Sequence, residues 1–413
     1  MRLHSDSLSC GLQVYHLEDP AATAASVQVW YRIGCAHEPE NKRGIAHLLE
    51  HMMFKGTDSV GPEEHARTIQ RLGGQSNAFT TEDVTVYFQT LPAEHGLRAI
   101  HLEADRMTNL AFPEGHFLKE RGVVLEEYSE RILNQPVTRA LQSIRRTIFQ
   151  GHPYAIDPAG IPEQVESFSR EDLAEFYHRY YHPANATLIT AGPHSFQVLR
   201  EAAESAFDSH QRPGDPAPDI PPFPENPPSL ITDRSPIRVH LHCRVYYLSR
   251  NPENFHSLQA LNLLLGDGET AVMRRRIERK RMGVIHAGTF HYPTRAGHLF
   301  FVYLAVLPFL GFRNAAGELS RIMEGPTPFS PKDLEEIRGR IRISLASQLM
   351  GTEKKATRLG DCVVMRDDPD AFFRDDETFS TLSYDRIHET FRQLQQARWT
   401  TINLKARWSR AGN

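Results

Sequence analysis

Residues 211–228, QRPGDPAPDIPPFPENPP, hold eight prolines. Proline has no backbone N–H and a fixed φ, so this stretch supports neither a helix nor a central strand. It divides the 413-residue chain into stretches of about 210 and 185 residues, each of ordinary domain size. The expected organisation is two domains, 1–210 and 229–413, joined by a linker at 211–228.

Both stretches mix strand and helix periodicities. In the first, Val27, Val29, Tyr31 and Ile33 alternate with Gln28, Trp30 and Arg32, and Val84, Val86 and Phe88 alternate with Thr85 and Tyr87, which predicts strands. Pro62-Glu63-Glu64 opens a helical run that stops at Leu72 before Gly73-Gly74, with proline first and glycine last. In the second, Val239, Leu241, Cys243, Val245 and Tyr247 alternate, residues 298–308 form an apolar strand-like run, and helices are expected near 255–265 and 331–350. The fold class is therefore α+β, with an antiparallel-rich sheet packed by helices in each half.

Composition narrows the function classes. The formal charge of -4, with 40% hydrophobic and 24% charged residues, provides no basic field for nucleic acid or anionic lipid. Cys10, Cys35, Cys243 and Cys362 are scattered without CxxC spacing, which argues against a disulfide framework or a cysteine metal site. No apolar run reaches the length of a membrane span, and MRLHSDSLSCGL lacks the basic-then-apolar pattern of a secretory signal. The expectation is a cytoplasmic protein that binds neither membrane nor nucleic acid, or a periplasmic one where a leader has been removed.

Between Gly44 and Gly56 runs Ile-Ala-His-Leu-Leu-Glu-His-Met-Met-Phe-Lys, free of helix breakers and rich in good helix formers. Its helix sets His47 and His51 one turn apart on one face, where two neutral imidazoles can ligate zinc. Glu50 shares that face. A carboxylate there can take the proton of a metal-bound water and pass it to a leaving amine, the H-x-x-E-H arrangement of the inverzincins. Two histidines and a glutamate at this spacing also make an ordinary solvated face, so a third ligand has to come from elsewhere. In Lys119–Glu130 a helix would nearly eclipse Glu120 and Glu127, seven residues apart, and turn Glu126 away, so Glu120 and Glu127 can serve one site together.

These residues resemble the pitrilysin family of zinc metallopeptidases, which includes insulin-degrading enzyme and the mitochondrial processing peptidases. The likeness rests on Gly34–Glu38, on Gly44 through Thr57, on Glu120-Arg121-Gly122-Val123-Val124-Leu125-Glu126-Glu127, and on His152-Pro153-Tyr154. Tyr181-His182-Pro183 and Ser330-Pro331 extend it. It implies two homologous α+β domains, the first holding one zinc per chain through His47, His51 and Glu127. Glu127 follows His51 by 76 residues, as the family's third ligand does, and Glu120 takes the place of its supporting acidic residue. Asn77, Ala78 and Phe79 fall where relatives expose an edge strand that pairs with substrate backbone.

The resemblance thus implies a zinc-dependent endopeptidase acting on extended peptides or unfolded segments, with Glu50 activating the water. The alternative is a non-catalytic scaffold subunit, as some relatives are. One position departs from the pattern. Relatives carry a substrate-binding arginine and tyrosine seven residues apart in the domain without zinc; here these positions hold Arg279 and His286. The missing phenol implies a homologous partner subunit that supplies the Arg/Tyr pair in a heterodimer, with a homodimer as the other arrangement.

Overall fold

The structure, a computed structural model, describes residues 1–207, 214–235, 237–251, 253–280, 283–308 and 312–406. It forms two compact units that interleave along the chain. The first comprises Met1–Glu130, Ile156–Ile220 and Ser347–Phe372; the second comprises Arg131–Ala155, Pro221–Ala346 and Phe373–Asn413. Each unit therefore borrows a segment from the far side of the proline-rich stretch, whereas the limits drawn from the sequence were 1–210 and 229–413. Of that stretch, 211–213 lie outside the described residues, and 214–229 form neither helix nor strand.

The first unit is built on a six-stranded sheet of β1 (Arg2–Ser7), β2 (Gln13–Glu18), β3 (Ala24–Tyr31), β4 (Gln75–Thr80), β5 (Thr85–Pro92) and β6 (Ala186–Gly192). The strand order is β1-β2-β6-β3-β5-β4. Only β2 and β6 run parallel; the other pairs are antiparallel. Strand β4 ends the sheet, so one of its edges has no neighbouring strand among the described residues.

The second unit holds β7 (Leu230–Ser235), β8 (His240–Leu248), β9 (Val284–Thr294), β10 (Gly297–Val306) and β11 (Arg398–Ala406), in the order β7-β11-β8-β10-β9. Again only one pair, β7 and β11, is parallel. Substituting β2 through β6 for β7 through β11 in chain order reproduces the same arrangement, so the two α+β units repeat one topology.

Helices cover both faces of the first sheet. On one face Val27, Val29 and Tyr31 of β3 join a core with Ile45, Leu48, Leu49 and Met52 of α1 (Ile45–Met52), below which α2 (Glu64–Arg71) adds Ile69. α3 (Gly96–Thr108) and α4 (Glu114–Tyr128) complete it through Ile100, Met107 and Val124. On the other face Trp30 packs with Val86, Ile189, Ala356, Leu359 and Val363. Alternation in β3 by itself assigns only one face to a core. The borrowed helix Thr352–Gly360 buries the second, where Gln28 Nε2 donates to Glu353 O at 3.2 Å and to Thr357 Oγ1 at 3.1 Å.

The second unit is treated in the same way by a segment from the first half. The helix α5 (Pro136–Ile148) and the residues after it bring Phe149, His152 and Tyr154 against Phe223, and Phe223 meets Tyr247 of β8 at a ring separation of 5.9 Å. The Tyr247 hydroxyl reaches Ile148 O at 3.4 Å. Stacked and edge-on rings of this kind bury large apolar area while leaving each hydroxyl a partner.

Candidate metal centre

Helix α1 is capped at its start by Gly44, whose φ of 104° suits glycine. Its first N–H groups are satisfied by a side chain from upstream: Glu38 Oε2 accepts from Gly44 N and Oε1 from Ala46 N, both at 2.8 Å. Its two oxygens thus occupy N–H groups that the first turn of the helix leaves unpaired. Burial pushes the Glu38 carboxyl up to about 8, opposed by those two N–H groups and by Arg43. The helix therefore enters the core in a set orientation, and its apolar residues Leu48, Leu49 and Met52 are fully buried.

That orientation turns His47 and His51 toward α4. The two rings stand edge to face, with centroids 4.9 Å apart. Glu127 Oε2 lies 3.8 Å from His47 Nε2 and 3.5 Å from His51 Nε2, and one ligand atom from each of the three residues falls within 4.8 Å of the others. On the far side of its ring, His51 Nδ1 lies 3.3 Å from Glu120 Oε2. Donation from Nδ1 to that carboxylate points the Nε2 lone pair at the cluster.

The donor set fits zinc. Two ligand atoms each about 2.1 Å from a tetrahedral zinc are about 3.4 Å apart, close to the separations between Glu127 and both imidazoles. Two imidazoles and one carboxylate are the protein ligands of a catalytic rather than a structural zinc site.

Around this cluster the remaining residues fall into place or away. Glu50 projects toward β4, where Thr80 Oγ1 donates to its Oε2 at 2.6 Å. Asn77, Ala78 and Phe79 lie on β4 opposite Phe88, Tyr87 and Val86 of β5, with Asn77 exposed. Glu126 is exposed. Arg279 and His286 belong to the second unit: Arg279 Nη2 donates to Glu269 O at 3.1 Å, and His286 bridges Glu278 Oε1 at 2.9 Å and the Tyr303 hydroxyl at 3.1 Å. Arg281 and Met282, between them in the chain, lie outside the described residues.

Three residues near the cluster escape a reading of sequence alone. Glu38 holds the start of α1, Thr80 holds Glu50, and Lys55 Nζ lies 3.0 Å from Glu120 Oε1, and each of these contacts depends on a partner that only the folded chain supplies.

Residues 13–159 match the family model described as insulinase, peptidase family M16, and residues 167–324 match the one described as the peptidase M16 inactive domain. The chain belongs to the M16 peptidase family. Among M16 relatives, it is 34% identical over 206 residues to a zinc protease, PqqE, of Helicobacter pylori, covering 50% of this chain and 46% of that protein. It is 26% identical to an uncharacterized zinc protease of Rickettsia bellii over 84% of each chain. The human mitochondrial-processing peptidase subunit beta is 31% identical over 48% of this chain and 40% of its own length. The match thus spans about half the length of most of these curated relatives. The crystal structure of a protease from Helicobacter pylori shares the fold, with a TM-score of 0.86, 24% identity and coverage of 98% of this chain and 99% of that one.

This M16 chain thus has zinc proteases among its relatives and the two-unit α+β architecture of M16 structures. Among its described residues no helix is long and apolar enough to cross a membrane.

Proposed function

We propose that the chain is a zinc-dependent endopeptidase that cleaves peptides or unfolded segments bound in extended form. The observation that carries this reading is the convergence of one ligand atom each from His47, His51 and Glu127 within 4.8 Å of one another, with Glu50 on the same helix hydrogen-bonded to the end strand β4. His47, His51 and Glu127 would hold one zinc, and Glu120 would orient His51 through Nδ1. When bound, zinc supplies a Lewis acid that polarises the scissile carbonyl and lowers the pKa of its water.

The rest of the chemistry falls to the chain's own residues. Glu50 is the general base: its carboxylate, held against β4 by the Thr80 hydroxyl, takes the water's proton and returns it to the leaving amine. The peptide's backbone pairs with the open edge of β4 along Asn77–Phe79, which presents it as an added strand regardless of its side chains. That mode favours unfolded substrates, because only an extended backbone can complete the ladder.

The test is hydrolysis of a mixed library of unstructured peptides by the purified, zinc-loaded chain, with Glu50→Gln as control. Cleavage that disappears in the control is expected. Cleavage that survives Glu50→Gln overturns the role given to Glu50.

We further propose that the chain works beside a homologous subunit. Position 286 holds a histidine whose two nitrogens engage Glu278 and Tyr303, and two relatives are named as subunits, of the mitochondrial-processing peptidase and of the cytochrome b-c1 complex. Full turnover by the chain alone would defeat this arrangement and favour a homodimer.

A further inference from the structure

We infer that Lys55 is a positioning residue for the metal centre, acting through Glu120 on His51. This rests on the ligand assignment proposed above. Lys55 follows the last turn of α1, and its Nζ lies 3.0 Å from Glu120 Oε1. The other oxygen of the same carboxylate, Oε2, lies 3.3 Å from His51 Nδ1. Glu120 thus has one oxygen on a cation and the other on the ring of a proposed ligand, and its side chain is only 6% exposed. A carboxylate so enclosed is costly to leave half-partnered, and the ammonium selects the one rotamer that also reaches His51.

Lys55 is itself held. Its side chain is 13% exposed, and its Nζ has a second carboxylate, Glu63 Oε1, at 3.4 Å. Glu63 adopts φ 61°, a left-handed conformation that non-glycine residues rarely take, while its N–H donates to Phe54 O at 2.9 Å. The turn between α1 and α2 thereby presents Lys55 to Glu120 from outside the cluster. The resulting chain, Glu63 to Lys55 to Glu120 to His51, sets the ring's rotation and tautomer, and with them the direction of Nε2.

The experiment measures zinc affinity by chelator competition, and the cobalt(II) d–d spectrum of the substituted full chain, with no peptide present. Lys55→Met should weaken zinc binding roughly 10-fold and alter the cobalt spectrum, within the range of about 10–100-fold known for partners that orient metal ligands. Lys55→Arg should restore most of the affinity. In a Glu120→Gln background Lys55→Met should cause no further loss, because the lysine acts only through that carboxylate. Should Lys55→Met not fold, Lys55→Gln against Lys55→Arg is the deciding pair, with the same expected loss in the glutamine variant.

Native affinity in the methionine or glutamine variant overturns the inference, and so does an equal, additional loss in the Glu120→Gln background. Both outcomes leave the endopeptidase reading standing. A native chain that binds no zinc removes the ligand assignment as well, and a chain that binds zinc but cleaves nothing removes only the peptidase reading.

Discussion

Thr80 Oγ1 donates to Glu50 Oε2 across 2.6 Å, joining the last residue of β4 to the proposed base on α1. The strand that we propose binds the peptide and the group that we propose activates the water are thus tied by one hydrogen bond. Thr80→Val should lower kcat by about 10-fold or more, the size expected for losing a hydrogen bond to a charged group, with little change in KM. Thr80→Ser should retain most of the rate. Equal kcat in threonine and valine chains, measured by steady-state peptide hydrolysis, would show that Glu50 needs no such partner.

Removing a ligand should separate metal binding from chemistry. His47→Ala and Glu127→Ala each delete one of three donors and should leave the purified chain with substoichiometric zinc, whereas Glu50→Gln should keep about one zinc per chain while losing turnover. Metal content by elemental analysis decides the point. Full zinc occupancy in His47→Ala would refute the ligand set.

Gly360 packs against Trp30, and an added Cβ would overlap the indole. Gly360→Val should therefore lower stability by about 1–3 kcal/mol, the usual cost of overfilling a close-packed core. The loss should appear as a lower midpoint in thermal unfolding followed by tryptophan fluorescence. For the same reason a fragment ending at residue 210 should be poorly soluble, because it exposes the Trp30 face that Ala356, Leu359 and Val363 cover. A monomeric, cooperatively folded fragment would mean that this face can be covered in another way.

His291 and His298 lie on β9 and β10 with Nε2 and Nδ1 3.1 Å apart, and burial pushes them down to about 3 and about 4. Both are neutral in the fold, while in the unfolded chain each titrates near 6.5. The unfolded state therefore binds more protons between about pH 6.5 and 3. The stability linked to this pair is full above pH 6.5 and falls as the pH drops through that window. Amide protection factors in β9 and β10, which divide out the intrinsic slowing of exchange toward acid, should fall between pH 7 and 5. His291→Gln should flatten that dependence; an unchanged slope would show that the pair does not report on the stability of this unit.

Much of the site was legible because it is local. Helical spacing alone places His47, Glu50 and His51 on one face, and seven-residue spacing places Glu120 and Glu127 together with Glu126 turned out, where the structure has it exposed. The edge position of β4 came from the resemblance and not from periodicity, and the reach of Thr80 to Glu50 and the pairing of Lys55 with Glu120 were not legible, because each joins residues that no periodicity connects.

The sequence by itself determined the elements: α1, the alternating strands β3, β5 and β8, and the acidic face of α4 follow from backbone periodicity and from glycine and proline at their ends. Only the tertiary structure decided which elements meet. Glu127 reaches within 3.5 Å of His51, and a helix at 352–360 covers Trp30 from more than 300 residues away in the chain. The physical reason is one of range. Repeats of 3.6 and 2 residues record which side of an element is apolar, whereas the surface that buries that side is selected by packing and by the satisfaction of buried polar groups across the whole chain.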